Sequence, residues 1–393
     1  MTKIKIGVLF GGRSPEHEIS IITGIQVMEV LNKEKYEVIP IYISKEGRWI
    51  QGDESFLKPS TFVNLDTVKS QKKSLVMSSD PNIKGLISES SGLSLSKSFS
   101  AQNLDVVFPV FHGRYGEDGS IQGLFEISGI PYVGCDVETS AIGMDKTVSK
   151  RIAKAIGVPV LEDIWVLSSQ WKNDRKKILS EIKNKLKFPV FIKPSRLGSS
   201  IGLSKAHDLK EIEESLDVAF FYDTKVMVEE SMEDAHEINI SILGNNPYEV
   251  SACEMPVSSG EVLSFEDKYT SQKGPSKGMA SAKRIIPAPI KEVTRRKIEE
   301  YAKMFFAEIG GQGMARIDFL LSKDESQIYL NEINTLPGSV AFYLWKEVGV
   351  TFDVLVDKLV TFALERSEEK NNLVTTFSSN ILSGFKGLKG IKG

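Results

Sequence analysis

The sequence predicts an α/β protein with a doubly wound parallel sheet in its N-terminal part, and three observations predict this class. The apolar runs KIKIGVLF, YEVIPIYI and LDVVFPVF recur early in the chain, and a helical pattern, ISIITGIQVMEVL, follows the first of them. A glycine pair, Gly11–Gly12, turns the chain between that run and the helix. Further strand-like runs follow later, among them FPVFIKP, KVMVEE and EINISIL. Alternating strands and helices imply a parallel sheet with helices on its faces.

Composition limits the classes of partner and the location. The 393 residues are enough for two or three domains of roughly 100–200 residues each. A net charge of −3 gives no electrostatic reason to expect nucleic acid or an anionic membrane as a partner. No run approaches the ~18–20 apolar residues of a membrane helix, and the N-terminus reads as a buried strand rather than a signal peptide. A cytoplasmic protein is therefore expected.

Cysteine and histidine usage argues against a zinc or disulfide framework. Cys135 and Cys253 are the only cysteines, and neither has a CxxC partner or metal-ligand spacing. Both cysteines are therefore expected to be structural thiols in a reducing compartment. The four histidines are scattered along the sequence.

The first helix and the segment after the second strand have distinct signals. Ser14 is expected to cap that helix, with Pro15 at its first position. The serine-rich stretch 74–100 has little periodicity, which predicts a surface insertion, with a hairpin over the sheet edge as one form of it.

The remaining elements are predicted in chain order. A helix is expected near Ser140–Ile156, ended by Gly157 and Pro159. Later expectations are the strands Phe188–Pro194, Lys225–Glu230, Glu237–Leu243 and Glu249–Pro256, a mobile loop at 264–283, and helices near Ile290–Ile309 and Thr351–Arg366. The Gly/Lys-rich residues 371–393, which contain FKG, LKG and IKG, are expected to be a flexible tail.

A strand that ends in lysine and leads into serine and glycine is a candidate phosphate site. Lys193 is the last residue but one of FPVFIKP, and SRLGSSIG follows that run with backbone N–H groups and hydroxyls that can surround a phosphate. The segment is no Walker A loop, because GKS or GKT is missing. Lys146, near a helix start, is a second candidate for nucleotide phosphates, although a solvated helix lysine is the alternative. Glu229 and Glu230 end an apolar strand, which could offer backbone groups to adenine and a carboxylate to ribose. Glu237 is a further carboxylate on the next strand.

Two loops follow strands of the predicted N-terminal sheet. GGRSPEHE follows the first strand and HGRYGEDG follows the third. Because ligands bind beyond the carboxyl ends of strands in open parallel sheets, both loops are expected to face one crevice. Glu16 and Glu18 could instead simply favour the dipole of the helix that they begin.

The most informative stretch is ARIDFLLSKDESQIYLNEINTLPG, which reads as two strands and a charged turn. Glu332 and Asn334 share one face of the second strand, and a hairpin could bring Asp318 onto it. Three oxygen ligands without Cys or His suit Mg²⁺. Arg316, on the face of Asp318, could hold a phosphoryl group. A nucleotide enzyme is therefore favoured over a binding module.

Together these segments resemble the ATP-grasp superfamily and, within it, the D-alanine–D-alanine ligase family. The resemblance runs from about residue 3 to 363 and is carried by seven motifs in family order: GGRSPEHEIS, HGRYGEDGSIQGLFEISGIPYVG, MDK, IKPSRLGSSIG, FEDKY, ARIDF and LNEINTLPG. It implies an ATP-grasp fold of three domains, placed here at 1–139, 140–225 and 226–370, and usually a homodimer.

The resemblance also implies an activity and its cofactors. ATP phosphorylates the carboxylate of one D-alanine, and the amine of a second D-alanine then displaces phosphate. The expected metal ligands, for two Mg²⁺ or Mn²⁺ ions, are Asp318, Glu332 and Asn334. Arg316 would stabilise the transferred phosphoryl group. The residues expected to contact ATP are Lys146, Lys193, Ser200, Glu229, Glu237 and Lys268.

Substrate-binding roles follow from the same resemblance. Glu16 would bind the ammonium of the first D-alanine, hydrogen-bonded in a set with Ser199 and Tyr269, and His112 would lie nearby. The pair Lys268–Tyr269 implies an amine nucleophile and a peptide product. Tyr343 falls where the family often has a serine that holds the carboxylate of the second D-alanine, with Leu344 after it.

Three other functions are weighed against this one. Tyr343 keeps open a ligase that joins D-alanine to D-serine or another amino acid. A regulatory protein without catalysis would be expected to lack Arg316, Asp318, Glu332 or Asn334, and all four are present. An oxidoreductase is weak, because the N-terminal turn reads GGRSPE rather than GxGxxG.

Overall fold

The fold is taken from a computed structural model, which describes residues 2–63, 74–88, 100–257, 283–379 and 381–384. Its described strands form one sheet of seven strands, two sheets of four, and a two-stranded ribbon. Among these residues no helix combines the length and the apolar content needed to cross a membrane.

The N-terminal sheet is parallel only in part. Three strands are parallel neighbours: β1 (Ile4–Gly11) lies between β2 (Tyr36–Ile43) and β7 (Val106–Pro109). Beyond β2 the sheet continues antiparallel through β3 (Trp49–Gln51), β4 (Ser74–Met77), β5 (Gly85–Ser88) and β6 (Ser100–Asn103). The expected parallel sheet is thus confirmed for its first three strands. The serine-rich stretch supplies the antiparallel edge, including a β4–β5 hairpin.

Both faces of the parallel strands are covered. Ile6, Val8 and Phe10 of β1 point into a core shared with helix α1 (His17–Val30) and helix α10 (Phe352–Asn371). Leu9, between them, points to the other core with Phe125 of helix α2 (Ser120–Ser128). Alternate residues of one strand therefore bury their side chains on opposite faces, as a doubly wound sheet requires.

Two predicted helix boundaries are corrected. The first helix begins at His17 rather than just after Ser14, because the Ser14 hydroxyl accepts a hydrogen bond from the Glu16 N–H, 3.1 Å away, in a turn before the helix. The helix predicted near Ser140–Ile156 is two helices, α3 (Val137–Met144) and α4 (Lys146–Ala155). They are separated at Asp145, whose backbone is extended (φ −90°, ψ 95°).

The middle sheet has the order β10–β9–β11–β8 and is antiparallel. Its strands are β8 (Asp163–Leu167), β9 (Val190–Pro194), β10 (Ser204–Ala206) and β11 (Lys225–Glu230). The helices that accompany it are α5 (Ser168–Asn173), α6 (Arg175–Lys185) and α7 (Leu209–Ala219). Because β11 pairs with β8 and β9, it belongs to this sheet although it lies beyond residue 225.

The C-terminal sheet has the order β13–β12–β16–β17 and is also antiparallel. Its strands are β12 (His236–Leu243), β13 (Glu249–Val250), β16 (Met314–Leu321) and β17 (Ile328–Asn334). The ribbon joins β14 (Met255–Pro256) to β15 (Arg284–Ile285), so the single strand predicted over Glu249–Pro256 is two short strands. Helix α8 (Glu292–Glu308) packs against β12, and α9 (Phe342–Trp345) follows β17.

The last helix is longer than predicted. It runs over Phe352–Asn371, five residues past the expected end at Arg366. After it, residues 374–379 have no regular structure, and Ile381–Gly384 form a 3₁₀ turn.

Candidate functional site

A cleft of about 420 Å³ lies between the middle and C-terminal sheets, within the size range of small-molecule sites. The middle sheet contributes β9, the SRLGSSIG turn and the end of β11, and the C-terminal sheet contributes β12, β16 and β17. All five described candidates for ATP contacts line this cleft: Lys146, Lys193, Ser200, Glu229 and Glu237. These residues were predicted from four separate segments of the sequence, and the fold brings them together at one cleft.

Lys193 is held at the cleft by a buried carboxylate. Its ammonium donates to Glu229 Oε2 at 2.6 Å and to Asn331 Oδ1 at 3.3 Å. The other oxygen of Glu229 accepts from Lys150, and both of these side chains are about 1% exposed. Burial alone would raise the pKa of Glu229, but the ammonium groups of Lys150 and Lys193 outweigh it and lower that pKa. Glu229 is therefore ionised, and it fixes the position of Lys193.

Lys146 reaches the cleft because α4 begins at it. The Asp145 carboxylate accepts from the N–H groups of Thr147 (3.1 Å) and Val148 (3.3 Å), which caps the helix. The Lys146 ammonium then contacts Glu332 Oε2 at 3.0 Å and the Leu197 carbonyl at 2.8 Å. One lysine thus links the glycine–serine turn to the acidic strand β17.

A row of polar residues crosses the C-terminal sheet. Asp318 of β16 lies directly opposite Glu332 of β17 and, on its other side, opposite Asn239 of β12. Asn239 in turn is bridged to Glu254. Directly opposite residues project from the same face of a sheet, so this row places three acidic residues on one face. We refer to Glu254, Asn239, Asp318 and Glu332 as the polar row.

Arg316 lies in the neighbouring row, opposite Asn334. Its guanidinium donates twice to Asp318, from Nε to Oδ1 and from Nη2 to Oδ2, both at 2.7 Å. Asn334 Nδ2 also donates to Asp318 Oδ2, at 3.0 Å. The hairpin register expected from the sequence is confirmed, and it brings all four predicted residues to one place.

The residues present fit a hard divalent cation. Within the described part of the chain, no group of three or more His, Cys, Asp or Glu side chains could hold a metal ion. Asp318, Glu332 and Asn334 bring two carboxylates and an amide to one face of the hairpin. This all-oxygen set matches the preference of Mg²⁺ and Mn²⁺ for oxygen ligands.

A second cluster lies at the N-terminal loops. Ser199 donates from its hydroxyl to the Glu16 carboxylate, across 183 positions of sequence, and both side chains are buried. Ser199 and Ser200 have φ of 54° and 58°, a left-handed conformation that is uncommon for residues other than glycine. Gly113 lies so close that a Cβ there would stand 2.9 Å from Glu16 Oε2. The expected Glu16–Ser199 contact is present.

His112 is neutral and fully engaged in structure. Its Nδ1 lies 2.9 Å from the Leu336 carbonyl, and its Nε2 lies 3.1 Å from the Thr23 hydroxyl. Because Nδ1 faces an acceptor, it carries the proton, and burial lowers the pKa of the imidazole. His112 therefore ties α1 to the loop after β17.

Glu117 is a neighbour that sequence reasoning missed. Its carboxyl oxygens accept from the N–H groups of Gly113 (2.6 Å) and Leu336 (3.1 Å). Burial, reinforced by the nearby charge of Glu16, raises its pKa to about 8. It lies in the HGRYGEDG motif, five residues after His112, so the motif itself was the available signal.

The remaining predicted residues are placed as follows. Tyr343 lies on α9 with the Arg284 guanidinium 3.7 Å from its ring centroid. Leu344 is fully buried, and its carbonyl accepts from the Ala252 N–H at 3.3 Å. Lys268 and Tyr269 fall outside the described residues, so their roles stay predictions. Lys150, Glu254 and Arg284 were missed, because single charged residues in short segments carry no pattern.

Family models match most of the chain. The model described as D-ala D-ala ligase N-terminus matches residues 5–135, and the model described as D-ala D-ala ligase C-terminus matches residues 152–361.

Curated relatives agree over nearly the full length. The chain is 38% identical to a D-alanine–D-alanine ligase of Caldicellulosiruptor bescii over 378 residues, 95% of this chain and 98% of the relative. It is 36% identical to one of Natranaerobius thermophilus over 390 residues, 97% of this chain and 100% of the relative.

Solved structures share the fold. The VanG D-Ala:D-Ser ligase of Enterococcus faecalis matches with a TM-score of 0.78 and 30% identity, over 92% of this chain and 100% of that one. The D-alanine–D-alanine ligase of Coxiella burnetii matches with a TM-score of 0.76 and 26% identity, over 94% and 97%.

Proposed function

Because the chain belongs to the D-alanine–D-alanine ligase family, we propose that it joins two D-alanine molecules into D-alanyl-D-alanine at the expense of ATP, for peptidoglycan precursor synthesis. The observation that carries the proposal is the convergence of Arg316, Asp318, Glu332 and Asn334 on one face, next to a cleft with Lys146 and Lys193. Such an arrangement can bind a nucleoside triphosphate and neutralise the negative charge of the phosphoryl group during its transfer.

In the first step the carboxylate of one D-alanine attacks the γ-phosphorus of ATP. The bond from phosphorus to the bridging oxygen breaks, ADP leaves, and an acyl phosphate forms. Lys146 and Lys193 hold the phosphates, and the Arg316 guanidinium stabilises the charge on the transferred group. Asp318, Glu332 and Asn334 would hold divalent cations, which when bound would further neutralise the charge of the phosphates.

In the second step the amine of another D-alanine attacks the acyl carbon. The amine loses a proton, the carbon–oxygen bond to phosphate breaks, and the dipeptide and inorganic phosphate are released. Glu16 binds the ammonium of the first D-alanine, and the Ser199 hydroxyl orients the Glu16 carboxylate. The buried setting of these groups keeps water away from a hydrolysable intermediate.

The test is phosphate release from ATP with Mg²⁺ and D-alanine as the only amino acid, with the product identified by mass. We expect ADP, phosphate and D-alanyl-D-alanine in equal amounts. ATP turnover that appears only after D-serine or another amine is added would instead support the mixed ligase, which the names of the curated relatives do not favour.

The acidic pair is tested separately by substitution. We expect Asp318→Asn to reduce turnover by about a thousandfold or more, because it removes a ligand charge and the anchor of Arg316. Asp353→Asn, at an exposed aspartate on α10, is the matched control and should leave turnover unchanged. Near-normal rates for Asp318→Asn would refute the assigned site.

The organisation proposed with this function is three domains that follow the three large sheets. The boundary between the second and third is placed after Glu230 rather than at residue 225, since β11 pairs within the middle sheet. A homodimer in the cytoplasm completes the proposal, and light scattering of the purified protein measures the stoichiometry.

A further inference from the structure

Glu117 is an acidic residue between two loops of the site, and the proposed mechanism does not use it. Its N–H donates to the Gly113 carbonyl at 3.0 Å, and its Oε2 accepts from the Gly113 N–H at 2.6 Å. Its Oε1 accepts from the Leu336 N–H at 3.1 Å, and its carbonyl accepts from the Thr335 hydroxyl at 3.4 Å. The four polar groups of Glu117 are thus divided evenly between the loop after β7 and the loop after β17.

The Gly113 end of this link lies beside the group that is proposed to bind the first D-alanine. Gly113 has a φ of 76°, and its Cα faces Glu16 and Ser14 so closely that a Cβ would lie 2.9 Å from Glu16 Oε2 and from Ser14 Oγ. Glu117 holds Gly113 by both its N–H and its carbonyl. It therefore determines where this stretch of backbone lies relative to the Glu16 carboxylate.

The Leu336 end of the link lies next to the β16–β17 hairpin. Leu336 comes two residues after Asn334, the last residue of β17 and a proposed metal ligand. His112 donates from Nδ1 to the Leu336 carbonyl at 2.9 Å, so Glu117 and His112 hold both polar groups of the Leu336 backbone. The HGRYGEDG motif therefore fixes the position of the chain where it leaves the hairpin.

The choice of a carboxyl group at this position has a chemical reason. Burial and the nearby charge of Glu16 raise the pKa of Glu117, so both disfavour its ionised form. A carboxyl group nevertheless offers two acceptor oxygens on one rigid unit, whereas a glutamine amide offers one. Two acceptors at a fixed separation are what a link between N–H groups of two different loops requires.

The first step of the proposed reaction depends on the separation of these two loops. The donor D-alanine has its ammonium on Glu16, at one loop, while its carboxylate must approach a γ-phosphate that lies near Arg316 of the hairpin. A misplacement of about 1 Å can slow a reaction between oriented groups by about a hundredfold. A residue that joins both loops can therefore control the rate without touching either reactant.

We propose that Glu117 is a positioning residue for phosphoryl transfer, which holds the loop beside Glu16 at a fixed distance from the end of β17 so that the donor carboxylate faces the γ-phosphate. This proposal rests on the ligase function proposed above. It assigns to Glu117 an effect on the rate of the first step rather than on the binding of ATP or D-alanine.

The experiment measures ADP formation in a single turnover by rapid quench, with enzyme in excess over ATP and with saturating Mg²⁺ and D-alanine. We expect Glu117→Ala to slow ADP formation by about thirtyfold to a hundredfold, because the two loops lose their link. Steady-state KM values for ATP and D-alanine should stay within about threefold of the wild type, since Glu117 belongs neither to the nucleotide cleft nor to the Glu16–Ser199 contact. Glu117→Gln keeps one acceptor oxygen and should slow ADP formation by only about threefold to tenfold.

Glu325→Ala is the matched control. The Glu325 carboxylate also ties two segments together, since it accepts from the Lys291 N–H at 2.9 Å and from the Thr294 hydroxyl at 2.7 Å. Glu325 lies in the turn between β16 and β17, at the opposite end of the hairpin from Asn334. Its loss should lower the melting temperature without slowing ADP formation.

The outcomes separate the two proposals. A wild-type enzyme that makes no D-alanyl-D-alanine refutes the ligase function. If it makes the dipeptide and Glu117→Ala forms ADP as fast as the Glu325→Ala control, only the positioning role is refuted. A rise in both KM values with an unchanged single-turnover rate would also overturn it, because Glu117 would then act on binding. If Glu117→Ala fails to fold, the rate of Glu117→Gln decides, and a rate equal to that of the wild type refutes the role.

Discussion

Lys150 shows how a residue far from solvent can act on the nucleotide cleft. Lys150 and Lys193 share the two oxygens of Glu229, so the carboxylate holds the cleft lysine from behind. Burial lowers the pKa of Lys150, and the Glu229 charge opposes this. Lys150 therefore acts through Glu229 to hold Lys193 in place at the cleft.

We expect Lys150→Met to weaken ATP binding and to destabilise the protein by about 3–5 kcal/mol, because a buried carboxylate loses one of its two cations. KM for ATP should rise more than KM for D-alanine. Urea unfolding and steady-state kinetics measure both effects.

Lys154→Met is the control, one turn along the same helix, with 61% of its side chain exposed. If Lys150→Met left stability and KM for ATP at the level of this control, the positioning role of Glu229 would be excluded.

Glu117 gives a dependence of stability on pH. Its pKa rises from 4.5 to about 8 on folding, so the folded state holds a proton that the unfolded state releases. Stability is therefore lost as pH rises from about 4.5, and the loss is complete above about 8.

We expect Glu117→Gln to remove this contribution, so that its melting temperature relative to the wild type increases from pH 5 to about pH 8 and levels off above that. Thermal unfolding across that pH range is the measurement, with Glu138→Gln, at an exposed position, as the control. A difference that stayed constant with pH would contradict the raised pKa.

Site residues could be predicted from the sequence where they belong to a repeating pattern. They could not be predicted where one tertiary contact alone determines their position. Asp318, Glu332 and Asn334 follow from strand alternation, which fixes the face of every second residue. The Glu16–Ser199 contact came only from the family resemblance, since nothing local joins positions 183 apart. Arg284 and Lys150 have no such pattern, because their partners are set by how sheets and helices pack.

At the scale of elements, the break at Asp145 decides where Lys146 points. The sequence predicted one helix over this region, ended by Gly157 and Pro159. The Asp145 side chain instead caps a new helix and pairs with Lys225 at 3.1 Å. Asp136 caps the preceding helix in the same way, by accepting from the Thr139 N–H at 2.9 Å.

We expect Asp145→Ala to cost about 1–2 kcal/mol of stability and to raise KM for ATP, because both the cap and the placement of Lys146 are lost. Asp136→Ala is the matched control and should cost a similar free energy with KM for ATP unchanged. Thermal unfolding measures the stability of the two variants, and steady-state kinetics measures their KM for ATP. Equal effects on KM would indicate that Asp145 acts only through stability.

A second element could not be predicted at all. Ser339, Val340 and Ala341 have φ of 53°, 54° and 44°, a left-handed turn without glycine. A β-branched residue there is an outlier that local preferences argue against. The turn lets the Ser339 N–H reach the Thr23 hydroxyl at 3.2 Å, so tertiary contacts determine it.

At the scale of the whole molecule, helix α10 connects the C-terminal part of the chain to the N-terminal part through hydrogen bonds of Arg366. Arg366 of α10 donates to the carbonyls of Gly134 (2.7 Å) and Tyr132 (2.6 Å) and is 4% exposed. Its guanidinium also lies 4.3 Å from the Tyr132 ring centroid.

We expect Arg366→Met to destabilise the protein by about 2–4 kcal/mol, because two buried carbonyls lose their donors. Arg296→Met, on an exposed face, should change the free energy of unfolding by less than about 0.5 kcal/mol. Urea denaturation measures the free energy of unfolding of both variants. If Arg366→Met lowers it no more than the control does, Arg366 does not stabilise the contact between α10 and the N-terminal part.

The class of the whole fold was predictable, but the extent of its parallel sheet was not. Alternating strands and helices identify β1, β2 and β7 as parallel. The short strands beyond β2 have weak apolar patterns, so the sequence does not identify them clearly as strands. Their antiparallel pairing needs only short turns, and each of them adds to the exposed edge of the strand before it in the sheet.

The polar row also keeps two ion pairs apart. From Glu254 to Glu332 it takes three steps between neighbouring strands, and at about 4.8 Å a step this is about 14 Å. At one end Glu332 pairs with Lys146, and at the other end Glu254 pairs with Arg284. A metal ion held at Glu332 would therefore lie beyond the reach of Glu254, because metal–oxygen distances are only about 2–2.6 Å.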